Sequence, residues 1–191
     1  MGQRWWRIGG SVVAVTLAAS IAAGLVSCGR SSAVQIGTGD TLVFPRVEAR
    51  NLLDEDVVLP DALAGAPALV HVAFYQRQQL QINTWLARNE AIEGAIEGLR
   101  IVETPTMKRG WALIAGQIDN WMRSGIPTDD GRARTISMFV DTEKFRRALD
   151  LPSDEVNYVL LLDEQGRLLH VEEGVYDETK LARIIAAAGR G

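Results

Sequence analysis

The chain has 191 residues, 23% of them charged, a formal net charge of −4 and one cysteine. An acidic balance disfavours nucleic acid as a partner, because binding a polyphosphate depends on clustered Lys and Arg. One cysteine also excludes a dithiol–disulfide cycle within the chain.

The first segment, MGQRWWRIGGSVVAVTLAASIAAGLVSC, places Arg4 and Arg7 ahead of an uncharged run from Ile8 to Val26. That is the layout of a bacterial export signal. The run closes on Leu25-Val26-Ser27-Cys28, which resembles the lipobox of bacterial lipoproteins, where cleavage leaves the cysteine first and lipids are attached to it. An uncleaved helix is the competing reading, since the run approaches the ~20 residues that span a bilayer. Its Ala, Gly, Ser and Thr content makes it only moderately apolar, and the polar GRSSAVQIGTGD that follows suits a tether. The expected division is therefore a signal peptide over residues 1–27, a tether over 28–43 and a folded domain over 44–191, lipid-anchored through Cys28 outside the cytoplasm, on the periplasmic side. Removing 27 residues that carry two arginines from 191 residues of charge −4 leaves 164 residues of charge −6. That length supports one domain with a sizeable core.

In the domain, residues 44–49 and 51–60 alternate around the acidic turn Asp54-Glu55-Asp56 and suit a β-hairpin. Ala68 to Phe74 is continuously apolar and suits a strand buried on both faces. From Gln78 the spacing becomes helical through Ile82, Trp85, Asn89, Ile92 and Ile96, with a stop at Gly98. A second strand is expected over 99–102, then a helix marked by Trp111, Ile114, Ile118, Trp121 and Met122 that ends at Gly125 and Pro127. Thr135 to Val140 reads as a third strand, and Asp141 as the N-cap of a helix carrying Phe145 and Leu149. Residues 158–163 and 167–171 form a hairpin around Gly166, and Asp177 caps a last helix with Leu181 and Ile184 on one face. Alternation of this kind predicts an α/β three-layer sandwich: a central mixed sheet flanked by helices, with an N-terminal hairpin extension.

Residues 44–188 resemble the thioredoxin-like superfamily, in FPRVEARNLLDEDVVLPDALAGAPALVHVAF and in the late YVLLLDEQGRLLHVEEG. Within it, QRQQLQINTW, MRSGIP and FRRALDLPSDEVNYVLLLDEQGR resemble the mitochondrial ATP synthase assembly factor family numbered ten, whose bacterial relatives include lipoproteins. The resemblance implies a thioredoxin-like domain without the cysteine pair and a role in assembling a membrane complex. The pair would fall near Gln79 and Ile82 or near Gln76 and Gln79, and amides cannot form a thiolate. The proline that redox members place before the late strand is also missing, since Val156-Asn157 precedes Tyr158.

Other chemistry finds little support. His71 falls inside the first central strand and is expected to pack in the core with one hydrogen bond, while His170 is expected to be solvated; neither belongs to a zinc pattern. Asp129 and Asp130, like the first acidic turn, read as solvated loop charge. No metal or cofactor is expected, and no catalytic residue. The candidate surface for a partner or ligand comprises Tyr75, Gln76, Gln78, Gln79, Trp85 and Arg134, with Trp111 and Trp121 expected to face the core. The favoured function is binding of a polypeptide near the membrane, with a small-molecule site or a thiol-independent enzyme as the alternative.

Overall fold

A computed structural model describes residues 42–189; the signal, Cys28 and most of the tether lie outside the described residues. Seven strands form one sheet in the order β2-β1-β5-β4-β3-β6-β7. The central strands β3 (Ala68–Ala73), β4 (Arg100–Lys108) and β5 (Ile136–Val140) run parallel. β6 (Tyr158–Leu162) pairs antiparallel with β3, and β7 (Leu168–Glu173) with β6. The N-terminal hairpin, β1 (Val47–Asn51) and β2 (Asp56–Leu59), joins the far edge through β1 and β5. The expected mixed sheet, both hairpins and the layered arrangement are all present.

Turn chemistry fixes both hairpins. Asn51 Oδ1 accepts from the Leu53 and Glu55 amides, each at 3.0 Å, and so rebuilds a backbone turn with a side chain. Asp163 Oδ1 does the same for Gln165 and Arg167 at 2.9 and 2.8 Å. Gly166 between them has φ +78°, and a Cβ there would lie 2.7 Å from Pro60. Only glycine fits that turn.

Strand alternation divides the core. Val70, Val72 and Leu160 face α5 (Thr142–Ala148) with Phe44 and Phe145, whereas Leu69, Ile101, Val159 and Leu161 face the opposite helical layer. That layer holds α1 (Gln79–Leu86), α2 (Asn89–Ala95) and α6 (Glu178–Ala188). On the same face, α3 (Ala115–Arg123) covers Leu52 with Ile118 and Met122.

The helix expected to run from Gln78 to Gly98 is two helices, broken at Ala87 and Arg88. Arg88 takes φ −118° and ψ 5°, outside the helical region, so the chain redirects there. The bend brings Trp85 and Ile92, both fully buried, onto one patch of sheet. β4 is longer than the expected 99–102 because Thr104 and Thr106 are buried with their hydroxyls satisfied. Thr104 Oγ1 donates to His71 O at 3.1 Å and Thr106 Oγ1 to Thr104 O at 2.8 Å. Asp129 and Asp130 do not lie in a loop: they open α4 (Asp129–Arg134), which Thr128 caps by accepting from the Gly131 amide.

His170 is not simply solvated. Its Nε2 lies 2.7 Å from Glu172 Oε1, and Glu172, 7% exposed, accepts from Arg183 Nε and Nη2 at 2.7 and 2.8 Å. The bidentate pair ties α6 to edge strand β7. Arg183 and His170 hold the Glu172 carboxyl below its ordinary range, so the stability it supplies is complete above the unfolded-state pKa and lost as pH falls through the folded one. Glu172→Ala should lower stability by about 1–3 kcal/mol at pH 7, read from urea unfolding. The wild type and variant should converge as pH drops below the carboxylate range; a constant gap from pH 7 to 3 would show that charge is not the source.

Candidate functional site at the β3–α1 junction

The parallel strands end together at one end of the sheet, where such sheets place ligands. There β3 leads through Phe74 and Tyr75 into a 3-10 turn (Gln76–Gln78) and then α1. The turn faces the loop before β6, around Asp154.

Gln78 fixes this junction. Its side chain is 2% exposed. Oε1 accepts from the Phe74 and Tyr75 amides at 2.7 and 3.2 Å, and Nε2 donates to Asp154 O at 2.7 Å. The amide therefore satisfies two backbone donors that the end of β3 leaves unpaired and clasps the facing loop. Two further ties follow the same path. Tyr75 Oη donates to Asp154 Oδ2 at 3.0 Å, and Arg77, stacked 4.3 Å from the Tyr75 ring centroid, pairs with Glu155. The loop itself contains no cis peptide; among the described residues that bond is Leu59–Pro60.

The candidate residues separate into three groups. Tyr75, half-buried, and Gln76, exposed, lie at the accessible junction. Gln78 and Gln79 lie there too but are engaged inward: Gln79 Nε2 donates to Asn83 Oδ1 and to Glu103 Oε2, both at 3.1 Å. Trp85 and Arg134 are corrections. Trp85 is fully buried, with Nε1 donating to Gly174 O at 2.9 Å and its ring edge-on to Tyr176, so it belongs to the core and not to a docking surface. Arg134 closes α4 ahead of β5, away from the carboxyl ends of the parallel strands, and pairs with Glu93 of α2 at 2.5 Å and with Asp130 at 3.0 Å.

Trp111 and Trp121 reverse the other way, at 55% and 46% exposed. Residues Arg109–Ile114 form a 3-10 helix, so the α-helical spacing that aligned Trp111 with Ile118 does not hold there. In α3 the buried residues are Ile118, Asp119 and Met122. Asp119 is drawn in by Ser137, whose hydroxyl donates to Oδ1 at 2.7 Å. Centring that face leaves Trp121 about 100° around the helix, on its flank.

Between Tyr75 and the ends of β4 and β5 runs a groove of about 510 Å³, lined by Lys108, Arg109, Asp141, Thr142, Arg146 and Asp154 among others. A slot of about 230 Å³ adjoins it, walled by Phe74, Tyr75, Met107 and Trp111. The two share Lys108, Thr142 and Asp154. Leu113, 94% exposed, follows Trp111, and Leu80, 76% exposed, lies in the first turn of α1. Trp111 could have been found only by recognising the 3-10 segment.

These groups can bind, but they offer no nucleophile paired with a base. The hydrogen bond to Asp154 raises the Tyr75 pKa above its ordinary value, so the phenol stays protonated at neutral pH. His71 lies in the core as expected, yet neither ring nitrogen has a hydrogen-bond partner. Burial lowers its pKa to about 3, which keeps it neutral. Its strand neighbour Glu103 is shifted upward by burial, against the pull of its bond to Gln79. Among the described residues no group of three or more His, Cys, Asp or Glu could hold a metal ion, and no helix is long and apolar enough to cross a membrane.

No protein-family profile and no curated protein matches the chain. Solved structures do. BsSco, of the Sco family of cytochrome c oxidase assembly proteins, covers 82% of this chain over 99% of its own, at 10% identity and TM-score 0.55. ScoI of Arabidopsis thaliana with copper bound covers 78% over 99%, at 9% identity and TM-score 0.54. The exposed lipoprotein thioredoxin of Streptococcus pneumoniae covers 74% over 98%, at 10% identity and TM-score 0.50. The fold is thioredoxin-like. The chain has one cysteine and hence no disulfide pair, and the described residues supply no thiolate and no accessible pair of imidazoles for copper.

Two measurements probe the junction. Gln78→Ala leaves the Phe74 and Tyr75 amides without an acceptor and should cost about 2–4 kcal/mol, lowering Tm by roughly 4–16 °C in calorimetry. A change below 1 kcal/mol would show that the clasp does not hold the junction. For His71, a folded pKa below the unfolded value means stability present above pH 6.5 and lost as pH falls towards 3. Relative to His71→Leu, the wild type should lose up to about 1.4 kcal/mol per pH unit across that window. Parallel stability curves would mean that the imidazole protonates in the folded state.

Proposed function

We propose that this chain is an exported, lipid-anchored, non-redox thioredoxin-like protein that binds a polypeptide partner and through it assists assembly of a membrane protein complex. The supporting observation is the pairing of two facts at one end of the sheet: Gln78 and Tyr75 of the β3–α1 junction are hydrogen-bonded within the protein, while Trp111, which walls the slot, is exposed, as are Leu113 two residues on and Leu80 in the first turn of α1. Exposed Trp and Leu around a cleft mark a surface that gains by being covered. Lipidation of Cys28, which rests on the Leu-Val-Ser-Cys motif, would remove the only thiol, so the reading is without cysteine-based redox chemistry.

The mode of attachment agrees with it. Leu42 O accepts from the Leu168 amide at 2.8 Å and Phe44 donates to Gly166 O at 2.9 Å, so the tether would enter beside the β6–β7 turn. Register places that turn level with the start of β3, at the opposite end from Lys108. An anchor there leaves the groove end clear. The BsSco likeness and the resemblance to ATP synthase assembly factors both support assembly as the context. A small-molecule site in the same groove is the alternative, and it predicts a rise in melting temperature with a metabolite alone.

Photo-crosslinking amino acids at Gln76 and Leu113, with Glu164 at the far end as control, test the proposal in native membranes. A polypeptide adduct from the first two and none from Glu164 is expected. Equal capture from all three, or none from any, would remove the basis for a partner at this face.

A further inference from the structure

Among the described residues, buried side-chain atoms that lack a hydrogen-bond partner gather in and beneath α1 and α2. Both His71 ring nitrogens are unpaired beside Trp85, whose ring centroid lies 6.2 Å away, and Gln81 Oε1 and Asn89 Oδ1 are unpaired within the two helices. Asn157 and Trp85 both donate to Gly174 O, at 3.1 and 2.9 Å, which leaves Asn157 Oδ1 unpaired next to them. Each such atom weakens the interface that buries it, because its lost hydration is not replaced. Neither helix has a side-chain N-cap bond, whereas Asp141 and Asp177 cap α5 and α6.

The two helices are also set off as one unit. Across the break, Arg88 N donates to Trp85 O at 2.8 Å and Ile92 N to Arg88 O at 2.9 Å. The Gln78 clasp ends immediately before α1, and Gly98, at φ +70°, turns the chain after α2. Side chains tie the pair to the domain: Thr84 Oγ1 accepts from the Tyr176 amide at 2.8 Å, Gln79 reaches Glu103, and Glu93 meets Arg134. We propose that residues 79–95 are a cover that opens as one unit, and that His71 takes up a proton when it opens, so that acid favours the open form. Packing of Ile82, Trp85 and Ile92 keeps it closed at neutral pH.

The charges around His71 define the pH range. Glu103 is its register partner on β4, and α1 carries no charged residue. On β6 its partner is Val159; beyond that, Glu172 of β7 is held by Arg183 of α6 and by His170. Arg88 lies over the Tyr176 ring, and Glu93 of α2 is paired. His71, at about 3 when buried against 6.5 when exposed, weakens the closed form as pH falls below 6.5. Glu103, raised from 4.5 by burial, weakens it as pH rises above 4.5. The two linkages oppose each other directly above pH 4.5, and His71 acts alone below it.

Hydrogen exchange of the full chain in detergent micelles, read by mass spectrometry and corrected for the intrinsic pH dependence of exchange, tests the proposal. Residues 79–95 should exchange ahead of α5 throughout. In Glu103→Gln, which keeps an acceptor for Gln79, their opening should rise about tenfold per pH unit below 6.5. The wild type should show that rise blunted until about pH 4.5, and His71→Leu should abolish it. Exchange of residues 79–95 in step with α5 would mean that only global unfolding frees the helices, and it overturns the proposal. An acid rise that survives His71→Leu does the same. If His71→Leu does not fold, Glu103→Gln decides, because opening that stays flat as pH falls from 6.5 to 4.5 in that variant removes the link to His71.

Discussion

The arrangement at the groove end depends on one side-chain amide. A parallel strand that ends at a 3-10 turn exposes two backbone N–H groups to the interior, and they must be paired or they destabilise the junction by an amount comparable to a lost hydrogen bond. Gln78 accepts from both and uses its remaining donor to hold the Asp154 carbonyl. That sets the distance between the β3 end and the loop before β6, and with it the depth of the slot behind Tyr75. A thiol could not make this contact, because it is a weak acceptor with one weak donor. The junction has gained rigidity of a kind that thiol chemistry at the same place would forgo.

Spending polar groups inward leaves the outward face to apolar and cationic side chains. Tyr75 and Arg77 turn to the Asp154–Glu155 loop, Gln79 turns to Glu103, and Trp85 sinks between α1 and the sheet. What reaches solvent near the strand ends includes Lys108 at the end of β4, Trp111 and Leu113 in the connection to α3, and Gln76 ahead of α1 and Leu80 in its first turn.

Much of this was legible in the sequence and some was not, for definite reasons. The β runs at 68–74 and 158–163 identify themselves by continuous apolar character, which only a strand covered on both faces sustains. The hairpin turns identify themselves by Asn51, Asp163 and Gly166, whose roles depend on neighbours in sequence. The errors concern side-chain direction. Trp85 and Trp111 differ in burial because one follows a 3.6-residue period and the other a three-residue period, a change no single residue type announces. Arg134 was misplaced because α4 is six residues long, too short for a periodic signal, and its cap Thr128 sits among turn-forming residues. His71 was placed in the core correctly, but its missing hydrogen bond depends on Val159 and Trp85, residues distant in sequence.

Those two buried ionisable strand neighbours, His71 and Glu103, bear on how firmly α1 is seated. Both lie on the face that α1 covers, and burial drives each towards its neutral form, the imidazole downward and the carboxyl upward. The Gln79 contact opposes the upward shift of Glu103, and Ile82 and Trp85 seat α1 over this patch by packing. The stiff element of the groove end is the Gln78 clasp beneath Tyr75, and the helix behind it is seated by packing. The wall of the slot at Tyr75 is therefore positioned by hydrogen bonds at the strand end and not by the packing of α1.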